Sequence, residues 1–124
     1  MSDLVKFLIL ALLCSVILGG ECDDCSSQKL QVAQTKTGKL VENKPEWKVT
    51  ITNTCSTCSQ LAIQLSCNGF QTVEDVDPSI LGPSGGICYL NSGNVIPGHQ
   101  SFTFTYAWDA AFPFEAVFSQ ALCS

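Results

Sequence analysis

The sequence predicts an all-β fold: a disulfide-bridged antiparallel β-sandwich of about seven short strands with at most one short helical turn. Three observations carry that prediction. Apolar residues alternate with polar ones at period two, clusters of Gly, Pro, Asn and Ser interrupt the chain at short intervals, and no stretch shows a helical period. A small closed barrel is the alternative that the same signals allow.

Lys29–Thr35 is a first, weaker strand candidate, followed by turn chemistry at Thr37-Gly38. Asn43-Lys44-Pro45 then leads into a strong strand, where Trp47, Val49 and Ile51 face one way and Lys48, Thr50 and Thr52 the other. Leu61, Ile63, Leu65 and Cys67 alternate with Ala62, Gln64 and Ser66 in the next strand, which Asn68-Gly69 ends. Gly69–Val73 is a weaker candidate. Asp77 before Pro78 suits a helix N-cap and first position, so Pro78–Leu81 is expected to form the one short turn. Gly82-Pro83-Ser84-Gly85-Gly86 reads as a turn, Ile87–Leu90 as a short strand, and Asn91-Ser92-Gly93-Asn94 and Pro97-Gly98 as further turns. Phe102, Phe104, Tyr106 and Trp108 then alternate with Ser101, Thr103, Thr105 and Ala107, and Ala116–Leu122 is the last candidate.

The beginning of the chain has a different character. Phe7 to Leu18 is apolar apart from Cys14 and Ser15, and Gly19-Gly20 closes the run, the layout of a secretory signal peptide over 1–20. Such a run is too short to span a bilayer. Cleavage after Gly20 places Leu18 at −3, whereas cleavage after Cys22 places Gly20 there; an uncleaved anchor is the alternative. Residues 21–124 then form a single cysteine-rich β domain, secreted and extracellular, with no membrane insertion after signal removal. A domain of that size cannot hold a kinase or a doubly wound nucleotide fold.

Charge limits the partners. The chain carries a formal net charge of −5 and no arginine. Its lysines from residue 21 on are Lys29, Lys36, Lys39, Lys44 and Lys48, all before residue 49. Beyond that point stand Glu74, Asp75, Asp77, Asp109 and Glu115 with no lysine opposing them. A surface of this sign repels phosphate backbones and anionic membranes, so nucleic acid is not an expected partner.

Behind the leader, Cys22, Cys25, Cys55, Cys58, Cys67, Cys88 and Cys123 form a dense set in a small secreted domain, which reads as a disulfide framework. The number is odd, and Cys22, in an acidic terminus, is the expected outsider: cleaved off, a free thiol, or joined to a second chain. The protein is accordingly expected as a monomer or a Cys22-linked dimer, with connectivity among the others open. Cys22-x-x-Cys25 and Cys55-x-x-Cys58 also resemble zinc knuckles, but their gap exceeds that of a zinc ribbon and three cysteines would go unused. No metal and no cofactor are expected.

Catalysis finds little support. His99 follows Pro97-Gly98 in a turn, no serine sits in G-x-S-x-G, and neither H-E-x-x-H nor a P-loop is present. Glu74-Asp75-Val76-Asp77 contains a D-x-D, which reads as a solvated rim before a turn. The protein is expected not to be an enzyme. Phe102, Phe104, Tyr106 and Trp108 suit the inner face of a core strand. Trp108-Asp109-Ala110-Ala111-Phe112-Pro113-Phe114 breaks the alternation and has loop character, which makes Trp108, Asp109, Phe112, Pro113 and Phe114 candidate partner-binding residues. Core packing is an equal contender for Phe112 and Phe114.

Pro45-Glu46-Trp47-Lys48-Val49-Thr50-Ile51-Thr52-Asn53-Thr54-Cys55, then Cys58, then Leu65-Ser66-Cys67-Asn68-Gly69-Phe70 resemble the TAPETUM DETERMINANT family of small secreted plant proteins. Asp77-Pro78-Ser79-Ile80-Leu81, Cys88-Tyr89-Leu90-Asn91-Ser92-Gly93 and Phe104 through Phe114 continue the likeness, which runs from Cys25 to Cys123. The resemblance implies six shared cysteines: Cys25, Cys55, Cys58, Cys67, Cys88 and Cys123. It also implies an apoplastic ligand that binds the ectodomain of a leucine-rich-repeat receptor kinase and influences cell fate in reproductive development, as in the anther. An extracellular module that binds cell-wall polysaccharide through an aromatic platform is the alternative function.

Overall fold

The computed structural model describes residues 25–123. The expected signal peptide, its cleavage site and Cys22 lie outside the described residues. Seven strands form two antiparallel sheets. Sheet 1 has the order β1-β2-β6, from Leu30–Val41, Lys44–Asn53 and Ser101–Ala107; sheet 2 has the order β4-β5-β3-β7, from Leu81–Ser84, Ile87–Leu90, Cys58–Ser66 and Ala116–Cys123.

Alternation decides which residues meet between the sheets. Val49 and Ile51 of β2 and Phe104 and Tyr106 of β6 point inward from sheet 1, while Ile63, Leu65, Cys88, Leu90 and Leu81 point inward from sheet 2. Burying these side chains supplies the main driving force, at about 25 cal/mol per Å2 of apolar surface removed from water. Phe114, from the connection between β6 and β7, closes one end of this core.

Local chemistry explains the punctuation. Glu42 and Asn43 both take positive φ, 49° and 67°, in a two-residue hairpin loop of the kind that matches strand twist. Thr37-Gly38, expected as a turn, is a bulge inside β1: Lys36 pairs with Trp47 and Leu40 with Pro45, and Gly38 adopts φ 94° where a side chain would strain the backbone. β1 is therefore longer than its alternation suggests. β3 also departs from its sequence pattern. Ala62 takes φ 53° at a register shift, so Gln60 rather than Leu61 faces inward ahead of Ile63 and Leu65.

Two further differences concern the connections. Gly69–Val73 forms no strand but part of a loop that crosses over sheet 1, and Leu81–Ser84, expected mostly as turn, pairs with β5 as β4. Asp77 caps the Pro78 turn as expected: its Oδ1 accepts from the Ser79 amide at 2.8 Å, and its carbonyl accepts from Ile80 at 2.8 Å. The helical single turns lie elsewhere, as 3-10 turns at Ser27–Lys29 and Asn91–Gly93.

Three disulfides join Cys25 to Cys55, Cys58 to Cys123, and Cys67 to Cys88. Cys55 and Cys58 thus belong to different bridges, which removes the zinc-knuckle alternative for that pair. The first bridge ties the start of the chain to the β2–β3 turn, the second ties β3 to β7, and the third ties the end of β3 to β5.

Candidate functional site

At one end of the sandwich, five rings form a packed cluster. Phe70 lies edge-on to Tyr106 and Phe112 at centroid distances of 5.1 and 5.4 Å, and Phe114 packs against Phe70, Phe104, Tyr106 and Phe112 at 4.8–5.8 Å. Edge-to-face pairs of this kind add roughly 0.5–1.5 kcal/mol each beyond the area they bury. Phe114 is only 5% exposed and Phe112 is half-buried. Of the candidate binding residues, Phe114 is therefore part of the core, with Phe112 packed against it. Of the stripe of Phe102, Phe104, Tyr106 and Trp108, the Phe104 and Tyr106 rings are buried and Phe102 and Trp108 are half-buried against the core, so the four form no exposed platform.

Polar bonds fix the path of the loop. Tyr106 donates its hydroxyl proton to Gln34 Oε1, and the same hydroxyl accepts from the Phe112 amide at 2.8 Å. Gln34 Nε2 closes the ring by donating to the Phe112 carbonyl at 2.6 Å. Burial pushes the Tyr106 phenol above its ordinary pKa, against a smaller downward effect of the Phe112 amide. The phenol stays neutral and donating across the physiological range. The Phe112-Pro113 peptide is trans, as no cis bond occurs among the described residues.

What reaches the surface is Trp108, Asp109 and Pro113. Trp108 is half-buried and its carbonyl accepts from Trp47 Nε1 at 3.2 Å. Lys44 bridges Asp109 at 2.8 Å and lies 5.2 Å from the centre of the Trp108 ring. Asp109 and Pro113 are exposed. A loop fastened by these bonds therefore leaves part of the Trp108 indole, the Asp109 carboxylate and Pro113 accessible to solvent.

Beside this end, two carboxyls face each other. Glu46 of β2 is buried and accepts from Thr37 Oγ1 at 2.7 Å; Glu74, on the crossing loop, accepts from Thr105 Oγ1 at 2.9 Å. Glu74 Oε1 is buried and has no donor among the described residues, unless the facing pair carries a proton. The Thr37 hydrogen bond, outweighing desolvation, lowers the Glu46 pKa, while burial and the Glu46 carboxyl raise that of Glu74. Glu46 is thus the ionised member and Glu74 the one that keeps its proton longer. A shallow cleft of about 310 Å3 opens beside them, lined by Phe70, Thr72, Glu74, Asp75, Val76 and Pro78. The expected solvated acidic rim is therefore split: Glu74 turns inward, Asp77 serves as a cap, and no group able to hold a metal occurs among the described residues.

At the opposite end, Asn53 and Gln60 are fully buried, a pair the sequence pattern leaves unmarked. Asn53 Nδ2 donates to the carbonyls of Cys58 and Ile96, both at 3.0 Å, and its Oδ1 accepts from the Cys55 amide at 3.0 Å and from Gln60 Nε2 at 3.1 Å. Gln60 Oε1 accepts from Ser119. This network orients the turn that bears two of the bridged cysteines. His99 is exposed at positive φ, and its amide donates to the Asn53 carbonyl at 2.8 Å.

The fold and these surfaces define a small, disulfide-stapled β-sandwich with a rigid, partly aromatic end, and no helix among the described residues is long and apolar enough to cross a membrane. The family described as "Tapetum determinant 1, C-terminal" matches residues 26–124, and the chain belongs to that family. It is 30% identical over 92 residues to TPD1 protein homolog 1B of Oryza sativa subsp. japonica, covering 73% of this chain and 54% of that protein. It is 32% identical over 92 residues to TPD1 protein homolog 1 of Arabidopsis thaliana, covering 73% of this chain and 51% of that protein. The chain thus spans about half the length of these curated plant relatives. No solved structure matches it.

Proposed function

We propose that the protein is a secreted signalling ligand of plants that binds the ectodomain of a leucine-rich-repeat receptor kinase in the apoplast and influences cell fate in reproductive development, without catalysis. Membership of the Tapetum determinant 1 family supports this reading, and one structural observation carries the choice of surface. The loop after β6 holds Trp108, Asp109 and Pro113 outward while Phe112 and Phe114 fasten it from beneath. Affinity then comes from a preorganised surface, because little ordering entropy remains to be lost on binding.

The loop has no nucleophile beside a base, and its charged pair, Lys44 and Asp109, is already satisfied within the protein. Such a pair at a rim steers encounter more than it adds affinity. Trp108→Ala and Pro113→Ala should weaken ectodomain binding by about tenfold or more, as for an interface anchor, while both variants still fold and secrete and Pro113→Ala keeps a melting temperature near wild type. Unchanged binding by both variants would remove this surface from the account.

A further inference from the structure

The two outer sheet faces differ in charge. Sheet 1 carries Lys36, Lys39, Lys44 and Lys48 on its strands, whereas β3, β4, β5 and β7 contain no Asp, Glu, Lys, Arg or His. Exposed large hydrophobic residues concentrate on the other sheet. Among the described residues Leu40, at the hairpin end of β1, is the one on sheet 1 that is more than 40% exposed, whereas Tyr89, Val95, Val117, Phe118 and Leu122 all lie on sheet 2 or beside it. An uncharged face that exposes this much hydrophobic surface between a few Ser and Gln side chains, on a chain of net charge −5, has the character of an interaction surface.

Register places these side chains in rows. Gln64 pairs with Tyr89 on one side and Phe118 on the other, so the three share the outer face in one line across the sheet. Leu61 pairs with Gln120, and Ser59 with Leu122. The bridge between Gln60 and Ile96 brings Val95 beside Leu61 and Pro97 beside Ser59. The middle column is thus Ser59, Leu61 and Gln64 of β3, with Pro97, Val95 and Tyr89 on one flank and Leu122, Gln120 and Phe118 on the other.

We propose that this face is where two copies of the chain meet, around a two-fold axis running along β3. Rotation about that axis exchanges the flanks. Phe118 of each copy then meets Tyr89 of the other, Leu122 meets Pro97, Leu61 meets Leu61, and Gln64, which both donates and accepts, pairs with itself. Val95 meets Gln120, an apolar side chain against an amide at the edge of the face; the other rows match in kind, and no charge is buried. This is also the face on which two acidic copies approach with the least local repulsion.

β3 and β7 run for nine and eight residues but β4 and β5 for only four each, so strand and residue spacings give the face roughly 400 Å2 in plan. With side-chain relief it stays below the roughly 800 Å2 per partner of a standard interface, in the range of weak, reversible association. The site is independent of the receptor-facing loop and of Cys22.

Sedimentation velocity of the oxidised secreted chain, from about 1 to 200 µM, brackets that strength. The proposal predicts a reversible shift to dimer that survives Cys22→Ser. Tyr89→Glu and Phe118→Lys should each raise the dissociation constant at least about tenfold, whereas Thr103→Lys, on the outer face of sheet 1, should not. Mixing Tyr89→Glu with Phe118→Lys should restore the dimer, because a hetero-pair has one Glu–Lys contact and one Phe–Tyr contact. A wild-type monomer across the range would overturn the proposal and leave the face to a glycan or another protein. Loss of the dimer with Cys22→Ser, indifference to both face variants, or failure of the mixture to associate would overturn it equally.

Discussion

Replacing Glu74 by Gln tests the reading of the carboxyl pair. In the folded protein the Glu74 pKa is raised, first by burial and then by the Glu46 carboxyl. A group whose folded pKa lies above its unfolded value stabilises fully below the unfolded pKa, here 4.5, and loses that contribution as pH rises through the folded value. Glu46, with a lowered pKa, behaves oppositely: its contribution is present above 4.5 and is lost as pH falls through its folded pKa. Stability should therefore peak in mildly acidic solution and decline toward neutral pH. Once both groups ionise, Glu74 Oε1 is a buried acceptor without a donor, a defect that costs about 1–3 kcal/mol. Gln supplies N–H donors to Glu46 at every pH while keeping an acceptor for Thr105. At pH 7 Glu74→Gln should be stabilising by about 1–2 kcal/mol, which raises Tm by roughly 4–10 °C in a domain of this size. Near pH 4.5 the gain should vanish. Calorimetric unfolding from pH 4 to 8 measures both effects, and an equal Tm difference at the two ends would refute the shared-proton pair.

Further outcomes follow from burial and bonding. Phe114→Ala removes a core ring held by four aromatic neighbours and should cost about 3–5 kcal/mol, read as a large fall in Tm or lost secretion, while Pro113→Ala next to it stays near wild type. Asn53→Ala leaves the Cys55 amide and the Cys58 carbonyl without these bonds and should cost roughly 2–5 kcal/mol. Chemical denaturation measures it, and a cost below that of an ordinary surface change would contradict the buried network. Removing the Cys58–Cys123 bridge should destabilise more than removing Cys67–Cys88, because it closes 65 rather than 21 residues of chain. The difference should be about 1 kcal/mol by loop entropy, measured on paired Cys→Ser variants.

The strands most legible in the sequence were those with a clean period of two. Lys48 through Thr52 and Phe102 through Tyr106 lie in β2 and β6, and alternation alone assigned their faces. β3 was legible as a strand and in the facing of Ile63, Leu65 and Cys67, but not at Leu61 and Gln60, because the bulge at Ala62 breaks the period without a Gly or Pro to announce it. β4 was hidden by Gly and Pro, which suit an edge strand as well as a turn. The Glu46–Glu74 pair could not be read at all. Glu46 sits among outward-facing residues of β2 and becomes buried only because a loop from after β3 passes over it, anchored by the Val73 amide on the Ala107 carbonyl at 2.9 Å. The aromatic loop was legible as a departure from the pattern, but which rings turn inward depends on Phe70, whose place against Tyr106 and Phe112 is a long-range contact.

Binding of the oxidised, secreted chain to a panel of leucine-rich-repeat receptor ectodomains, with insoluble cell-wall glycans alongside, tests the signalling role most directly. The account predicts saturable binding of micromolar strength or better to one ectodomain, lost with Trp108→Ala and Pro113→Ala together and kept with Thr103→Lys. Retention on glycan with no ectodomain bound would contradict it, and would make the protein a wall-binding module with a ligand's fold.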